Sequence, residues 1–233
     1  PCCAVAECLG FLLYGNTFTP QRIRIQSESE IARRRVRLAF FAAFGFEPGE
    51  APGQPNVMEL CEGEKIQAIY DTFGLGYKNA PLQLNRALVE EDCCKSAFLR
   101  GAFIMSGYVS ASGKGYHLEL VTSHYNVSQQ VKALLLDMEL PAGYLQRRGN
   151  HMLYYKDSGL IEDFLSAAGA TGSSMSLMLK KVERDLRNRV NRSVNCETAN
   201  LSKTVEAAAR QIAAIERLQA ADALDKLPDA LQQ

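Results

Sequence analysis

Two copies of one apolar stretch organise this sequence: residues 2–16 read CCAVAECLGFLLYGN, and residues 93–107 read CCKSAFLRGAFIMSG. The copies align without a gap at an offset of 91 residues, so a double cysteine, an alanine and a glycine coincide. A match of this kind indicates an internal duplication. Both copies are strongly apolar, which predicts two buried helices.

Small residues recur at the same positions of the two predicted helices. Ala6 and Gly10, like Ala97 and Gly101, lie four positions apart and therefore share one helical face. Glycine inside a helix costs about 1 kcal/mol relative to alanine, so close helix contact should offset that cost. We predict that the two copies pack on each other about a pseudo-two-fold axis.

Length and composition exclude several classes of protein. The chain has 233 residues, which suits one large or two small domains. It contains no run of 18 apolar residues and opens on no signal-peptide pattern, so we predict no membrane span. Because it lacks an initiator methionine and begins inside a helical pattern, we expect it to be a fragment.

The seven cysteines form no recognisable ligand motif. Four of them are adjacent pairs, there is no Cys-x-x-Cys, and the three histidines have no ligand-like spacing to any cysteine. Adjacent cysteine side chains diverge, which argues against a disulfide framework. We therefore expect small buried thiols in a reduced cytoplasm, with no metal and no cofactor.

Charge is balanced overall but clustered locally. The net charge is zero, from 26 basic and 26 acidic residues. Six arginines lie within 22–37, five glutamates without a basic residue within 47–64, and six basic residues within 180–192. Local basic patches can bind a polyanion although the whole chain is neutral.

The pattern predicts the same order of elements in each half. In the first half we predict a strand at 21–27, a helix from Ser27 or Ser29 to about Phe44, a loop at 47–55, a strand at 56–61 and a helix at 64–73. In the second we predict a strand at 116–121, a helix at 127–138, a hairpin turning at Gly149-Asn150 and a helix at 161–168. Loops are expected around 78–81 and 112–115.

The last sixty residues differ from both halves. Residues 176–192 show a basic amphipathic helical pattern, and 198–218 an alanine-rich one with Leu201, Val205 and Ile212 on one stripe. Four asparagines between 188 and 200 are expected to interrupt these helices, because asparagine is a poor helix former. Pro228 suits the first position of a further helix.

The duplicated helix resembles the LAGLIDADG homing-endonuclease fold, in which two motif helices form a central dyad and two sheets make a saddle over DNA. The resemblance implies an α+β fold of duplicated αββαββα repeats. It places the metal-binding aspartates of that family at Gly15 and Ser106, and neither residue can hold a divalent cation as a carboxylate would. We therefore expect no nuclease activity and no catalytic residue.

A second resemblance covers the whole chain, which is similar to the WhiA family of bacterial sporulation and cell-division transcription regulators. The stretches that carry it are CCAVAE (2–7), ARR (32–34), FLRGAF (98–103), YHLE (116–119) and RNRVNRSVNCETANLSKT (187–204). It implies a LAGLIDADG-like domain at 1–172, with repeats at about 1–80 and 90–172, then a helical linker at 173–222. Residues 223–233 would only open a truncated helix-turn-helix domain, so the main sequence-reading helix is expected to be missing.

A DNA-binding role makes certain polar residues candidate phosphate contacts. They are Arg22, Arg24, Arg34, Arg147, Arg148, Arg187, Arg189, Arg192 and Asn195. For Arg22 and Arg24 the alternative is a solvated sheet face with cross-strand pairs to glutamate. For 33–35 it is a surface of salt bridges, and for the asparagine-rich stretch it is docking of the linker on the first domain. His117 and Glu119 are interpreted as polar residues of a sheet face.

Three functional hypotheses follow. The first is a non-catalytic regulator that binds double-stranded DNA, located in the cytoplasm with the nucleoid, with RNA polymerase or another transcription regulator as a further candidate partner. The second is a protein-interaction scaffold whose DNA binding is confined to the missing C-terminal domain. The third is a residual nuclease, against which Gly15 and Ser106 argue.

Overall fold

A computed structural model describes residues 2–76, 81–112, 115–221 and 228 of the chain. The chain divides into two compact units, 1–178 and 179–233, which are described separately. The loops predicted around 78–81 and 112–115 fall largely outside the described residues, and so does the helix predicted after Pro228. Within the described part, no helix is both long enough and apolar enough to cross a membrane.

The first repeat contains three helices and four strands. In chain order they are α1 (Cys2–Tyr14), β1 (Thr17–Thr19), β2 (Arg22–Gln26), α2 (Glu30–Phe44), β3 (Gly49–Ala51), β4 (Gln54–Leu60) and α3 (Gly63–Phe73). A short 3₁₀ helix, Arg86–Val89, precedes the second repeat.

The second repeat has the same composition and is followed by one long helix. Its elements are α4 (Asp92–Ser106), β5 (Gly107–Ser112), β6 (Gly115–Thr122), α5 (Tyr125–Asp137), β7 (Gly143–Arg147), β8 (Asn150–Tyr155) and α6 (Ser158–Ala167). The long helix is α7 (Thr171–Ala220), and the boundary between the two units falls within it.

The two sheets have equivalent topologies. The strand order is β1-β2-β4-β3 in one and β5-β6-β8-β7 in the other, and all neighbouring strands are antiparallel. Each repeat is therefore an αββαββα unit. The predicted duplicated α+β fold is confirmed.

Local sequence signals explain where α2 begins and ends. The Ser29 hydroxyl accepts a hydrogen bond from the Ala32 N–H at 3.3 Å and so caps the first turn. Gly45 ends the helix with a φ of 78°, a left-handed conformation that favours glycine. The helix was predicted to begin at Ser27 or Ser29 and to end at about Phe44; the structure confirms that end and selects Ser29 as the N-cap.

Three edge strands, β1, β3 and β5, were missed from sequence. In β5 the adjacent residues Tyr108 and Val109 are both exposed, so the strand shows no alternation of buried and exposed side chains. Residues 17–19, for which no strand was predicted, form β1, and the predicted loop 47–55 contains β3 and the turn at Gly53. Strands of three residues are too short to show an alternating pattern, and they form because a longer neighbour offers them hydrogen bonds. The turn of the later hairpin lies at Arg148-Gly149, one residue before the predicted position, since Arg147 pairs with Asn150.

The motif helices α1 and α4 form the centre of unit 1. Their large side chains, including Leu9, Phe11, Phe98 and Leu99, are fully buried and join both repeats in one hydrophobic core. Apolar residues cover every side of α1 from Ala6 onward, so the predicted burial of this helix is confirmed.

The outer face of α2 carries exposed apolar side chains. Ile31 is 84% exposed, and Leu38 and Phe41 are also exposed. Only Val36, Ala39 and Phe40 are buried in this helix. The core needs one narrow stripe of α2, so the remaining apolar residues face outward.

The asparagine-rich stretch does not break α7. Asn188, Asn191, Asn195 and Asn200 all lie within one continuous helix, so the predicted interruption is wrong. Asparagine costs at most about 0.7 kcal/mol per residue in a helix, and arginine, alanine, leucine and glutamate around it are good helix formers. A uniform helix through 171–220 is the result.

Candidate nucleic-acid interface

The outward face of the first sheet carries the predicted arginines of β2. Ile23 and Ile25 are buried, whereas Arg22 and Arg24 alternate with them on the opposite face. Arg22 forms an ion pair with Glu59 on β4, and the Arg24 Nη2 donates to the Gln54 Oε1 at 2.5 Å. Both arginines are thus engaged by the neighbouring strand, and a phosphate would compete with these partners.

Glu59 is the anionic centre of this face. The Cys61 thiol donates to the Glu59 Oε1 at 3.2 Å, and this hydrogen bond together with Arg22 lowers the pKa of the Glu59 carboxyl. A carboxylate that remains ionised holds Arg22 in place. The cross-strand pairing considered for Arg22 from sequence is therefore present in the structure.

The β7–β8 hairpin offers a different arrangement. Arg147 is exposed at the end of β7, and Arg148 occupies the turn with a φ of 51°. Neither guanidinium forms an ion pair with any residue that the structure describes. These two cations are available to a negatively charged ligand.

His117 and Glu119 bond to each other on the outward face of the second sheet. The His117 Nε2 lies 2.9 Å from the Glu119 Oε2, and the His117 ring stacks on Tyr154 with 6.2 Å between ring centroids. Lys156 lies 5.5 Å from the centre of the same tyrosine ring. The face is polar and aromatic.

Most arginines of α2 are bonded to other residues of unit 1. Arg33 donates to the Ser27 carbonyl oxygen at 2.7 Å, and Arg37 pairs with Glu50 at 2.7 Å. Arg35 bonds to Glu7. Arg34 is exposed and makes no ion pair within the described ranges, so it is the candidate ligand contact of this helix.

Glu7 holds three helices of unit 1 together, a role that was not predicted from sequence. This carboxylate is buried in α1, and it accepts hydrogen bonds from Arg35 at 2.7 and 2.6 Å and from Arg100 at 3.1 Å. Hydrogen bonding to Glu7 raises the pKa of Arg35. One carboxylate thus fixes α2 and α4 to α1. A single acid inside an apolar helix was the available signal.

Gly15 and Ser106, which the LAGLIDADG resemblance places at the metal-binding positions, lie at the ends of the motif helices. Gly15 follows α1 directly, and Ser106 is the last residue of α4. The Ser106 hydroxyl lies 3.4 Å from both the Ala102 carbonyl oxygen, to which it donates, and the Val121 N–H, from which it accepts. Ser106 is therefore used to join α4 to β6.

The duplicated cysteine pairs meet in space. The Sγ atoms of Cys2, Cys3, Cys93 and Cys94 all lie within 4.8 Å of one another. Burial raises the pKa of the Cys94 thiol to about 12. The expectation of small buried thiols is wrong for Cys2 and Cys93, which are exposed. The overlooked signal was the duplication itself, because two paired helices bring equivalent residues together.

In the second unit, the candidate phosphate contacts all lie on α7 and are all exposed: Arg187, Arg189, Arg192 and Asn195. Arg187 pairs with Glu183 at 2.8 Å, and the Arg192 Nε donates to the Asn188 carbonyl oxygen at 3.2 Å. Arg189 makes no ion pair with a described residue. Asn195 lies between these arginines and the helix end and is exposed.

Two family descriptions match adjacent parts of the chain. Residues 95–187 match the WhiA LAGLIDADG-like domain, and residues 190–233 match the WhiA C-terminal HTH domain. The expectation that only the last few residues open a helix-turn-helix domain is not supported, because that match begins about thirty residues earlier. The hypothesis of a scaffold whose DNA-binding domain is missing loses its basis.

Solved structures resemble the chain in fold. The full-length DUF199/WhiA from Thermatoga maritima has a TM-score of 0.65 at 23% identity, with 99% of this chain and 78% of that chain covered. The homing endonuclease I-DmoI in complex with DNA and Mn has a TM-score of 0.51 at 11% identity, covering 72% of this chain and 96% of that one. At these identities the likeness concerns the fold alone.

Curated relatives share sequence as well. The probable cell division protein WhiA of Ruminiclostridium cellulolyticum is 34% identical, over 99% of this chain and 78% of the relative. That of Alkaliphilus metalliredigens is 39% identical over 72% of this chain and 51% of the relative, so the chain spans only about half of some relatives. With the duplicated cysteine helices, the paired sheets and both family matches, these identities show that the chain belongs to the WhiA family.

Proposed function

We propose that this chain is a non-catalytic, DNA-binding transcription regulator of cell division and sporulation. The observation that carries the proposal is the match of residues 190–233 to a helix-turn-helix domain. Arg192 within that segment and Arg189 just before it are both exposed. Such domains bind duplex DNA, and arginine supplies phosphate contacts in them.

The LAGLIDADG-like domain would add phosphate contacts of its own. Arg147, Arg148 and Arg34 support this part of the proposal, because each is exposed and has no acidic partner among the described residues. Arg22 and Arg24 would contribute less, since each must first leave a partner on the same sheet. The homing endonuclease I-DmoI, which has a related fold, was solved in complex with DNA.

Nuclease activity is excluded from the proposal by the residues at the ends of the motif helices. Gly15 and Ser106 supply no carboxylate for a divalent cation at the aligned positions. We expect supercoiled plasmid to stay intact with the protein and Mg²⁺ or Mn²⁺. Nicking that disappears after chelation would contradict the non-catalytic assignment.

The test of DNA binding is a titration of the 233-residue chain against labelled random duplex DNA, followed by anisotropy at several salt concentrations. Each phosphate contact contributes about 0.9 to the slope of log K against log salt. We expect two double variants, Arg147→Ala/Arg148→Ala and Arg189→Ala/Arg192→Ala, each to reduce the magnitude of that slope by about 2.

Arg86→Ala is the matched control, because Arg86 is exposed but already paired with Asp137 at 2.6 Å. Its slope should equal that of the unmodified chain. Loss of slope in the α7 variant alone would confine DNA contact to the C-terminal segment. An unchanged slope in both double variants would refute the proposed interface.

We further propose that the chain regulates transcription through contact with the transcription machinery. RNA polymerase or another regulator is the protein partner we propose, acting with the chain at the nucleoid. Purified polymerase should retain the chain on promoter DNA, and no retention above that on random DNA would argue against this partner.

A further inference from the structure

Four cysteine side chains converge where the N-terminal parts of the two motif helices meet. Cys2 and Cys3 come from α1, and Cys93 and Cys94 come from the first turn of α4. Each repeat contributes one pair, and no chain segment shorter than the whole duplication could bring them together. No disulfide bond joins these four cysteines.

The separations suit a single tetrahedral metal ion. A zinc–sulfur bond of about 2.3 Å gives sulfur–sulfur edges of about 3.8 Å in a tetrahedron. The Cys2–Cys3 and Cys93–Cys94 Sγ separations are 3.9 and 4.0 Å, and none of the six separations exceeds 4.8 Å. An iron–sulfur cluster inserts several iron and sulfide ions between its thiolates, which requires a wider arrangement.

The surroundings leave this position open to a cation. The carboxylate of Asp92 is directed to Lys95, at 2.7 Å from its Nζ, so it does not close the site. Cys2 and Cys93 are exposed, which leaves a route for an ion, whereas Cys94 is buried beneath them.

We propose that Cys2, Cys3, Cys93 and Cys94 bind one zinc ion and so form a structural site that fastens the two repeats together. Four thiolates in tetrahedral arrangement select a soft or borderline ion, and zinc needs no open coordination position in such a site. This inference does not depend on the proposed DNA binding. The bound ion would act only by stabilising the contact between the two motif helices.

The direct test measures metal in the 233-residue chain purified under reducing conditions without chelator. Elemental analysis should give one zinc per chain. After removal of zinc, titration with Co²⁺ should produce thiolate-to-cobalt charge-transfer bands and the strong visible bands of tetrahedral cobalt, saturating at one equivalent.

Substitutions at the two exposed ligands, Cys2 and Cys93, should give variants that still fold. Cys2→Ser/Cys93→Ser replaces two exposed thiols with residues of similar size, and it should lose the bound zinc and the cobalt bands while keeping its far-ultraviolet circular dichroism. Cys61→Ser and Cys196→Ser replace exposed cysteines outside the cluster, and both should retain one zinc per chain. Chelation should lower the Tm of the unmodified chain but leave that of the double variant unchanged.

Several results would overturn the site. One is a chain without zinc that also gives no cobalt bands, and another is zinc that remains in the double variant. A third is a mass deficit of two or four hydrogens with peptides linked through these cysteines, which would show disulfides in place of a metal site. Iron at one equivalent would overturn the identity of the ion.

Discussion

At the scale of single residues, Gly10 and Gly101 hold the centre of the fold. A Cβ at Gly101 would collide with the Glu7 carbonyl oxygen, and one at Gly10 with the Phe98 carbonyl oxygen. Backbone atoms cannot move aside as a flexible side chain can. The absence of a side chain therefore lets α1 and α4 meet backbone to backbone, which offsets the cost of glycine in a helix.

Gly101→Ala should consequently destabilise the chain by about 3 kcal/mol, at the upper end of the range for overpacked cores. Urea unfolding followed by circular dichroism measures this change. Gly63→Ala is the control, since a Cβ at that exposed helical position meets nothing, and it should stabilise by up to about 1 kcal/mol. Equal stability of both variants would show that the helices do not approach as closely as described.

Glu7→Gln should also destabilise, by about 2–3 kcal/mol, because the neutral amide leaves Arg35 and Arg100 without their anionic partner. The same urea titration measures the loss. Glu183→Gln breaks the exposed pair with Arg187 and should change stability by less than about 0.5 kcal/mol. A cost for Glu7→Gln no larger than that of the control would mean that the two guanidinium groups find other acceptors.

At the scale of elements, α7 differs from every other helix that the structure describes. In its second-unit part, residues 179–220, the apolar side chains Leu179, Leu186, Leu201 and Ile212 are exposed, and no described residue there is buried. Helical stability in proteins comes mostly from packing of an apolar face. This part of α7 therefore depends on intrinsic helix propensity alone.

Amide hydrogens within 179–220 should exchange much faster than those of α1 and α4, because an unpacked helix opens locally at little cost. Hydrogen exchange with peptide-level mass spectrometry measures both regions in one experiment. Protection equal to that of α4 would show that the apolar stripe is covered. Loss of that protection on dilution would identify a second copy of the chain as the cover.

At the scale of the whole molecule, the two repeats of unit 1 share one core. Buried residues of α1 and α4 connect the side chains beneath both sheets, for example Ile23 in the first repeat and Leu120 in the second. Neither repeat can bury its motif helix without the other. The repeats should thus fold together although each contains a full set of elements.

We expect α3 and α6 to lose protection at the same urea concentration. Pulsed hydrogen exchange at increasing urea tests this without a reporter residue, which suits a chain that has no tryptophan. Coincident midpoints indicate one cooperative unit. Midpoints separated by more than the experimental error would mean that each repeat has a core of its own.

Much of this architecture was readable from local patterns. Some features depend only on neighbouring residues, so one sequence suffices to predict them. They are the alternation in β2, the ends of α2 and the apolar motif helices. The short strands β1 and β3 were missed because they exist only beside a longer strand. The continuity of α7 was missed because four unfavourable asparagines are outweighed by the residues around them.

The candidate site divides in the same way. Its residue types, exposed arginines on β2, the β7–β8 hairpin and α7, were predictable from charge patterns. The sequence could not predict which of these arginines lack an acidic partner. Arg22, for example, pairs with Glu59, a residue distant in sequence on another strand.

The sequence alone determined that this protein is duplicated, that its two motif helices are buried, and that their small residues share a face. Only the tertiary structure decided which side chains those helices bring together. Glu7 meets Arg35 and Arg100, and four cysteines from positions 91 residues apart converge on one point. Ion pairs and metal sites depend on distances of a few ångströms between atoms, and packing of distant segments sets those distances.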